Sequence, residues 1–264
     1  MQYGILIDTT KCVACEKCVN ACLDRHQFDT YKAMRERKDY FDGLSAYRPA
    51  AIADIEPGHF AKKSCMHCLE PSCVSACLVG SLTKTPEGPV VYDPDKCIGC
   101  RYCMLACPFH IPRYQWDTTH PYMVKCDMCA ERLEEGQLPA CVEACPKGAL
   151  KFGSRADLLK EAHQRIADRP QLYLNHVWGE KEFGGTSVIY ISDVDLKELG
   201  WPENVPPPIP SLTEPLVHTT PFIGMTVAAG LVGLNWIIKR RNKLAEGRLE
   251  ENQPNSQNEN KDHE

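Results

Sequence analysis

Sixteen cysteines stand in a chain of 264 residues, and they fall into four groups of four with none left over. The first group is Cys12, Cys15, Cys18 and Cys22; the second is Cys65, Cys68, Cys73 and Cys77. The third is Cys97, Cys100, Cys103 and Cys107; the fourth is Cys126, Cys129, Cys141 and Cys145. Thiols at this density mean disulfides, zinc or iron–sulfur clusters, and spacing decides among them. Groups one and three have the C-x2-C-x2-C-x3-C run of bacterial ferredoxins. Three thiolates on a tight loop can wrap one iron–sulfur cubane. The fourth lies one helical turn past the third, so it points off the loop toward a neighbouring cluster. Group two widens one gap to four residues, and group four widens it to eleven, Ala130 to Ala140. Groups three and four end in Cys-Pro, whereas Leu23 and Leu78 follow groups one and two without touching the ligands. Zinc sites use CxxC pairs, often with histidine, and have no use for a triple CxxCxxC. A disulfide framework belongs to small secreted domains, and thiols this close would pair only under strain. Four [4Fe–4S] clusters are the expected cofactors.

Short strand patterns flank these groups. Gly4-Ile5-Leu6-Ile7 enters group one and Ala149-Leu150-Lys151-Phe152 leaves group four. Between groups two and three, Ser81–Lys84 and Pro89–Tyr92 flank a turn signal at Pro86-Glu87-Gly88, which predicts a hairpin. Groups two and three then form an inner two-cluster unit, and groups one and four close around it as an outer one. Sequential pairing, one with two and three with four, is the alternative. The nested scheme assigns Cys12, Cys15, Cys18 and Cys145 to one cluster and Cys126, Cys129, Cys141 and Cys22 to its partner. It assigns Cys65, Cys68, Cys73 and Cys107 to a third cluster, and Cys97, Cys100, Cys103 and Cys77 to the fourth. The fold class expected is α+β, two ferredoxin-like two-cluster units, nested, with one C-terminal transmembrane helix.

The stretches Cys65-Met66-His67-Cys68, Gly99 to Tyr114 (GCRYCMLACPFHIPRY) and Leu138 to Gly153 (LPACVEACPKGALKFG) resemble the dimethyl-sulfoxide-reductase iron–sulfur subunit family, the four-cluster beta subunits of respiratory molybdenum enzymes and hydrogenases. The resemblance covers residues 3 to about 200. Gly179 to Ser192, followed by Leu199-Gly200-Trp201-Pro202, is similar to two membrane-anchored branches, the hydrogenase-2 ferredoxin-like subunit and the formate dehydrogenase beta subunit. The resemblance implies nested pairing. Some relatives replace one cysteine and hold a three-iron cluster; every ligand position here is cysteine.

Residues 23–64 read as an insertion of mixed charge with aromatics at Phe28, Tyr31, Tyr40, Phe41 and Tyr47, read as packing and surface, with a docking surface as the alternative. Ala156 to Ala167 carries Leu158, Leu159, Ala162 and Ile166 near helical spacing. Gly184-Gly185 and Ser187–Ile191 read as a loop and a strand that cover a cluster. His67, inside a cluster loop, reads as a hydrogen-bonding or charge neighbour, since cysteine already supplies four ligands per cluster. Arg101, Lys125 and Lys147 lie beside ligands, where positive charge would raise a cluster's potential, or serve as solvated surface.

Residues 1–200 therefore read as the four-cluster domain, its outer unit drawn from 1–25 and 120–153 and its inner unit from 60–115. A proline-rich linker, 201–215, is expected to be extended and semi-rigid. Leu216 to Ile238 follows, with His218, Thr219, Thr220, Thr226 and Asn235 as its only polar residues. As a helix it would reach roughly 34 Å, enough for a hydrocarbon core of about 30 Å. Trp236 sits where an interfacial aromatic would, and Ala229, Gly230 and Gly233 offer a small face. Lys239, Arg240, Arg241 and Lys243 follow at once, which places the polar tail, 239–264, in the cytoplasm and the cluster domain on the periplasmic side of the inner membrane. The tail from Ala245 reads as disordered. The N-terminus has no basic n-region, apolar h-region or twin arginine, so export is expected in folded form with a signal-bearing partner.

The net charge of -5 argues against a nucleic-acid surface. No phosphate-binding glycine loop, triad or open metal position is present, so the chain reads as an electron-transfer subunit with no substrate site of its own. Its expected partners are a catalytic oxidoreductase subunit, a quinone-reactive or cytochrome subunit and membrane lipid. A stand-alone polyferredoxin and a zinc-bearing structural module are the alternatives.

Overall fold

Strand β1 (Tyr3–Asp8) is buried along nearly its whole length because it is the middle of a three-stranded sheet. The computed structural model describes residues 2–29, 32–34, 43–119, 121–202, 204 and 207–251. The insertion residues Tyr31, Tyr40 and Phe41, the linker residue Pro206 and tail residues 252–264 lie outside these.

Two hairpins follow β1 in the chain. The first, β2 (Ala51–Glu56) with β3 (His59–Lys63), lies inside the 23–64 insertion and turns at Pro57-Gly58. Proline followed by glycine is a turn signal, and it marks this hairpin in the sequence. The second, β4 (Leu82–Lys84) with β5 (Val90–Tyr92), is the hairpin between groups two and three. Arg113–Tyr114 and Met123–Val124 form a third short antiparallel pair, β6 and β7. β8 (Leu150–Ser154) then returns antiparallel to β1, pairing Ile5 with Phe152 and Ile7 with Leu150. The segment after group four thus closes against the segment before group one. β9 (Val188–Ile191) pairs with the other edge of β1 in parallel, Ile5 opposite Val188.

The period of two along these strands sends alternate residues to two cores. Ile5 and Ile7 of β1, with Val188 and Tyr190 of β9, face the large core that contains cysteines of groups one, two and four. Leu6, Ile189 and Ile191 face the other way, onto Leu158, Ala162 and Ile166 of the helix Arg155–Asp168. That helix extends one residue beyond each end of the 156–167 expectation. Gly4 is required where β1 and β9 approach, since a Cβ there would lie 2.4 Å from the Ser187 carbonyl oxygen. Gly88, at φ +125, closes the β4–β5 turn, and a Cβ there would lie 2.6 Å from the Tyr3 carbonyl oxygen. The Tyr3 N–H donates to the Glu87 carbonyl at 2.6 Å, so the tip of the second hairpin is fastened to the start of β1.

The chain divides into two compact units, 1–212 and 213–264. A helix of 43 residues, Ile209–Glu251, runs from the end of the first through the described part of the second. This changes two expectations. Residues 209–215 are helical rather than extended: Pro210 falls in the first turn, where its missing N–H would have no partner in any case. Pro215 and Pro221 sit deeper, and the Thr219 hydroxyl donates to the Pro215 carbonyl at 2.9 Å and to the Leu216 carbonyl at 3.0 Å. The backbone from Ala245 to Glu251 is also helical rather than disordered, since Ala, Glu, Arg and Leu favour helix in a chain already nucleated. The segment Ile209–Ala245 is long and apolar enough to cross a membrane, and none of its apolar window is buried.

Candidate metal centres

All four cysteine groups share one backbone device. The second intervening residue of each opening CxxC has positive φ: Ala14 at 53°, His67 at 48°, Gly99 at 70° and Met128 at 56°. Three of these are not glycine, so the chain accepts left-handed strain, about 1–3 kcal/mol each, at equivalent positions of separate loops. Successive residues of opposite handedness turn their N–H groups to one side and form a concavity suited to anions. Within such a loop Met128 N–H donates to Cys126 Sγ at 3.4 Å, and beyond the fourth cysteines Ser81 N–H donates to Cys77 Sγ at 3.2 Å and Ile111 N–H to Cys107 Sγ at 3.5 Å.

A short helix then starts beneath the third cysteine of each group. Cys18 and Cys22 lie on Lys17–His26, and both are buried. Cys103 lies on Tyr102–Ala106 with Cys107 as its C-cap. Cys73 lies on Ser72–Ser75 and Cys141 on Ala140–Glu143, each behind a proline N-cap, Pro71 and Pro139. Cys77 and Cys145 follow one turn later.

The fold brings together thiols that the sequence separates. Burial pushes the Cys18 thiol up to about 11, and the nearby sulfurs of Cys141, Cys12 and Cys145 push the same way. Cys12 is raised by burial and, among its neighbours, by Cys145 and Cys15. Cys22, almost fully buried, is raised well above the ordinary range, with Cys126, Cys141 and Cys129 around it. Burial and the charges of Cys65, Cys107 and Cys73 raise Cys68. Cys103 is raised by burial, with Cys100, Cys77 and Cys97 as its neighbours. Four neighbourhoods result: Cys12, Cys15, Cys18 and Cys145; Cys22, Cys126, Cys129 and Cys141; Cys65, Cys68, Cys73 and Cys107; and Cys77, Cys97, Cys100 and Cys103. Three further proximities link one to the next: Cys18 with Cys141, Cys126 with Cys65, and Cys73 with Cys103.

A pocket open to solvent lies within the first neighbourhood, lined by Cys12, Cys15, Cys18 and Cys145 together with Ile7 and Leu150. Among the described residues no three His, Cys, Asp or Glu side chains converge closely enough to hold one metal ion. A loop with a triple CxxCxxC suits a polynuclear cluster better than zinc, whose sites use CxxC pairs. Backbone N–H groups aimed at sulfur fit a cluster that leaves the sulfurs anionic.

Polar side chains line the path. Lys62 on β3, buried, donates to Ser64 Oγ at 2.9 Å and faces the sulfurs of Cys141, Cys126, Cys18 and Cys22. His67 is fully buried; its Nδ1 accepts from the Val90 N–H at 2.8 Å, which assigns the proton to Nε2. Burial, with Lys125 and Lys84 close by, holds His67 well below its ordinary pKa, so it is neutral. Its Nε2 has no hydrogen-bond partner among the described residues. His67 is thus a polar neighbour inside the loop. Lys84 donates to the His67 carbonyl at 3.0 Å, and burial lowers its pKa to about 8 against the raising effect of Cys68 and Cys65. Lys125, buried, donates to the Cys126 carbonyl at 3.0 Å and to the Val90 carbonyl. Tyr114 Oη lies 3.0 Å from Cys103 Sγ. Lys147 lines the first cavity, and the Arg101 guanidinium stacks on Trp116 at 3.9 Å. Sequence reading missed Lys62, Lys84 and Tyr114, because an isolated lysine or tyrosine in a short strand carries no local sign of burial. β9 meets group two directly, since Ser187 N–H donates to the His67 carbonyl and Val188 N–H to the Met66 carbonyl, both at 3.1 Å.

Nested thiol loops on short helices, closed by paired outer strands, define an iron–sulfur protein of ferredoxin-like build. The family described as a 4Fe-4S dicluster domain matches residues 58–155. The chain is 36% identical over 280 residues to the hydrogenase-2 operon protein HybA of Escherichia coli O157:H7, covering 92% of this chain and 85% of that protein. It is 38% identical over 166 residues to one subunit of the anaerobic dimethyl sulfoxide reductase of Escherichia coli strain K12, covering 63% of this chain and 80% of the other. It is 34% identical over 204 residues to the formate dehydrogenase iron-sulfur subunit of Haemophilus influenzae, covering 72% and 64%. The chain belongs to this family of [4Fe–4S] iron–sulfur subunits of oxidoreductases.

Proposed function

We propose that the chain is a four-cluster electron conduit in a membrane-bound respiratory complex. Cys12, Cys15, Cys18 and Cys145 would hold one [4Fe–4S] cluster, and Cys22, Cys126, Cys129 and Cys141 the next. Cys65, Cys68, Cys73 and Cys107 would hold a third, and Cys77, Cys97, Cys100 and Cys103 the fourth. The clusters supply one-electron redox chemistry. The observation that carries the reading is the chain of sulfur proximities, Cys18 with Cys141, Cys126 with Cys65 and Cys73 with Cys103, which orders the four neighbourhoods in a single file. Cys15 and Cys100, at the two ends of that file, are exposed. Exposed Ile98, Tyr102 and Leu105 surround Cys100, and exposed Val13 lies beside Cys15. The apolar group around Cys100 supports a partner at that end.

One partner is a catalytic subunit, since the relatives are named for hydrogenase, dimethyl sulfoxide reductase and formate dehydrogenase. The other is a quinone-reactive or cytochrome subunit in the membrane, with Ile209–Ala245 as a single-pass anchor. Lys239, Arg240, Arg241 and Lys243 put its C-terminal end in the cytoplasm and the clusters on the periplasmic side. Iron and acid-labile sulfide on the purified chain test the cofactor reading: roughly sixteen of each per chain are expected, and stoichiometric zinc refutes it. Mild-detergent purification should carry along a large catalytic subunit. Protease added to intact spheroplasts should cleave the cluster domain, and full protection reverses the topology. Release by a carbonate wash would restore the polyferredoxin alternative.

A further inference from the structure

Three lysines lie along the interior of this path. Lys62 and Lys125 are buried, at 4% and 7% exposure, and Lys84 is partly buried. Their ammonium groups meet only neutral oxygens: Ser64 Oγ for Lys62; the His67 and Gly88 carbonyls and Ser187 Oγ for Lys84; the Val90 and Cys126 carbonyls for Lys125. Among the described residues no carboxylate lies within ion-pair distance of any of them. Elsewhere the fold pairs its buried charges, as with Asp8, which meets Arg165 and Lys11. A buried ammonium without a counter-charge is strongly disfavoured. The anionic partners within reach are sulfurs. Lys62 faces Cys18 of the first neighbourhood and Cys22, Cys126 and Cys141 of the second. Lys84 faces Cys65 and Cys68, and Lys125 faces Cys73, all of the third. The fourth neighbourhood differs: among the described residues no buried lysine faces it, its Cys103 sulfur meets the Tyr114 phenol, and the one cation in its loop, Arg101, is stacked on the Trp116 ring.

We propose that Lys62, Lys84 and Lys125 form a cationic spine that balances the charge of the first three clusters and sets their potentials above that of the cluster held by Cys77, Cys97, Cys100 and Cys103. The inference rests on the four-cluster reading above. A cluster gains a negative charge on reduction, so a fixed positive charge beside it favours the reduced form and raises its potential. Electrons then settle in the first three clusters, and the fourth is the uphill step. The lysines act through the sulfurs and touch no substrate, so they are positioning charges.

The test is an EPR-monitored potentiometric titration of the full-length, iron-loaded chain in detergent, as wild type, Lys62→Gln, Lys62→Arg and Lys125→Gln. Lys62→Gln should lower two of the four midpoints by a tenfold or greater fall in the reduction equilibrium, about 59 mV each. Lys125→Gln should lower one, and Lys62→Arg should restore wild-type values. In both glutamine variants the lowest midpoint should stay in place. Unchanged midpoints in variants that keep their iron overturn the proposal, and so does an equal shift of all four. Loss of iron from both glutamine variants also overturns it, since the lysines would then be assembling clusters rather than tuning them. Failure of the underlying reading is separate: the wild-type chain itself would then lack four titrating clusters.

Discussion

Replacing Cys22 with serine separates nested from sequential pairing. Cys22 lies on the same helix as Cys18, only four residues on, yet its sulfur sits among Cys126, Cys129 and Cys141. Its site is only 7% exposed, so a serine hydroxyl there keeps the shape and removes the ligand. The direct folding cost is that of an under-satisfied buried hydroxyl, about 1–3 kcal/mol. The cluster loss is larger and countable. One cluster in four should go, leaving roughly twelve of roughly sixteen irons, or roughly fifteen if a three-iron form survives. Pairs of substitutions sharpen this, because ligands of one cluster are not independent. A Cys22→Ser, Cys126→Ser double variant should keep roughly twelve irons, no fewer than either single variant, whereas Cys22→Ser with Cys12→Ser should keep roughly eight. The assay is iron and sulfide content, with EPR of the reduced protein to match the surviving signals. If Cys22→Ser and Cys126→Ser prove additive while Cys22→Ser and Cys65→Ser prove non-additive, pairing is sequential and the nested assignment is wrong.

Further predictions test the frame that holds these sites. Gly4→Ala sets a methyl against the Ser187 carbonyl, backbone that cannot step aside, and should cost about 3 kcal/mol and lower the thermal midpoint; an unchanged midpoint would mean β9 is not seated on β1 as described. Asp8→Asn removes the carboxylate that accepts from Arg165 at 2.9 Å and Tyr173 at 3.0 Å. Because Arg165 and Lys11 stay partly solvated, the loss should sit at the low end for a broken buried pair, about 3 kcal/mol by denaturant titration, and a loss within error would show the network to be dispensable. Burial raises Cys18 and Cys107 to about 11 and Cys73 and Cys126 to about 12, so protons compete with iron for these sulfurs throughout the neutral range. A raised thiol pKa favours the protonated, metal-free form as pH falls. Iron release to a chelator should therefore accelerate from pH 9 to pH 6, and a pH-independent rate would show that thiol protonation does not limit release.

Much of this protein is written in local spacing. The four cysteine groups, the turn at Pro86–Gly88, the strands on either side of the groups, the helix near 156–167 and the apolar segment after residue 215 all follow from short-range pattern, because each depends on residues within a turn or a strand of one another. The linker and tail read less well. Proline content predicts an extended spacer, but Pro210 falls in a first helical turn, where proline costs little, and the helix begins at Ile209. The β2–β3 hairpin is only half legible in the sequence: Pro57-Gly58 marks its turn, but the strands lack clean alternation because β3 buries two lysines, Lys62 and Lys63.

Tertiary structure alone decided who stands beside whom. The composition around Lys62 gives no hint that its ammonium faces sulfurs from groups one and four, because the hydrophobic pattern of a strand fixes which side is buried and not what lies across the gap. The same holds for β9, which begins 180 residues after β1 ends and whose Val188, with the preceding Ser187, donates to the carbonyls of Met66 and His67. The cysteine spacing determined that metal clusters would form. Packing of β1 between β8 and β9 brought groups one and four into contact, and that contact depends on side chains meeting across long loops rather than on any local preference.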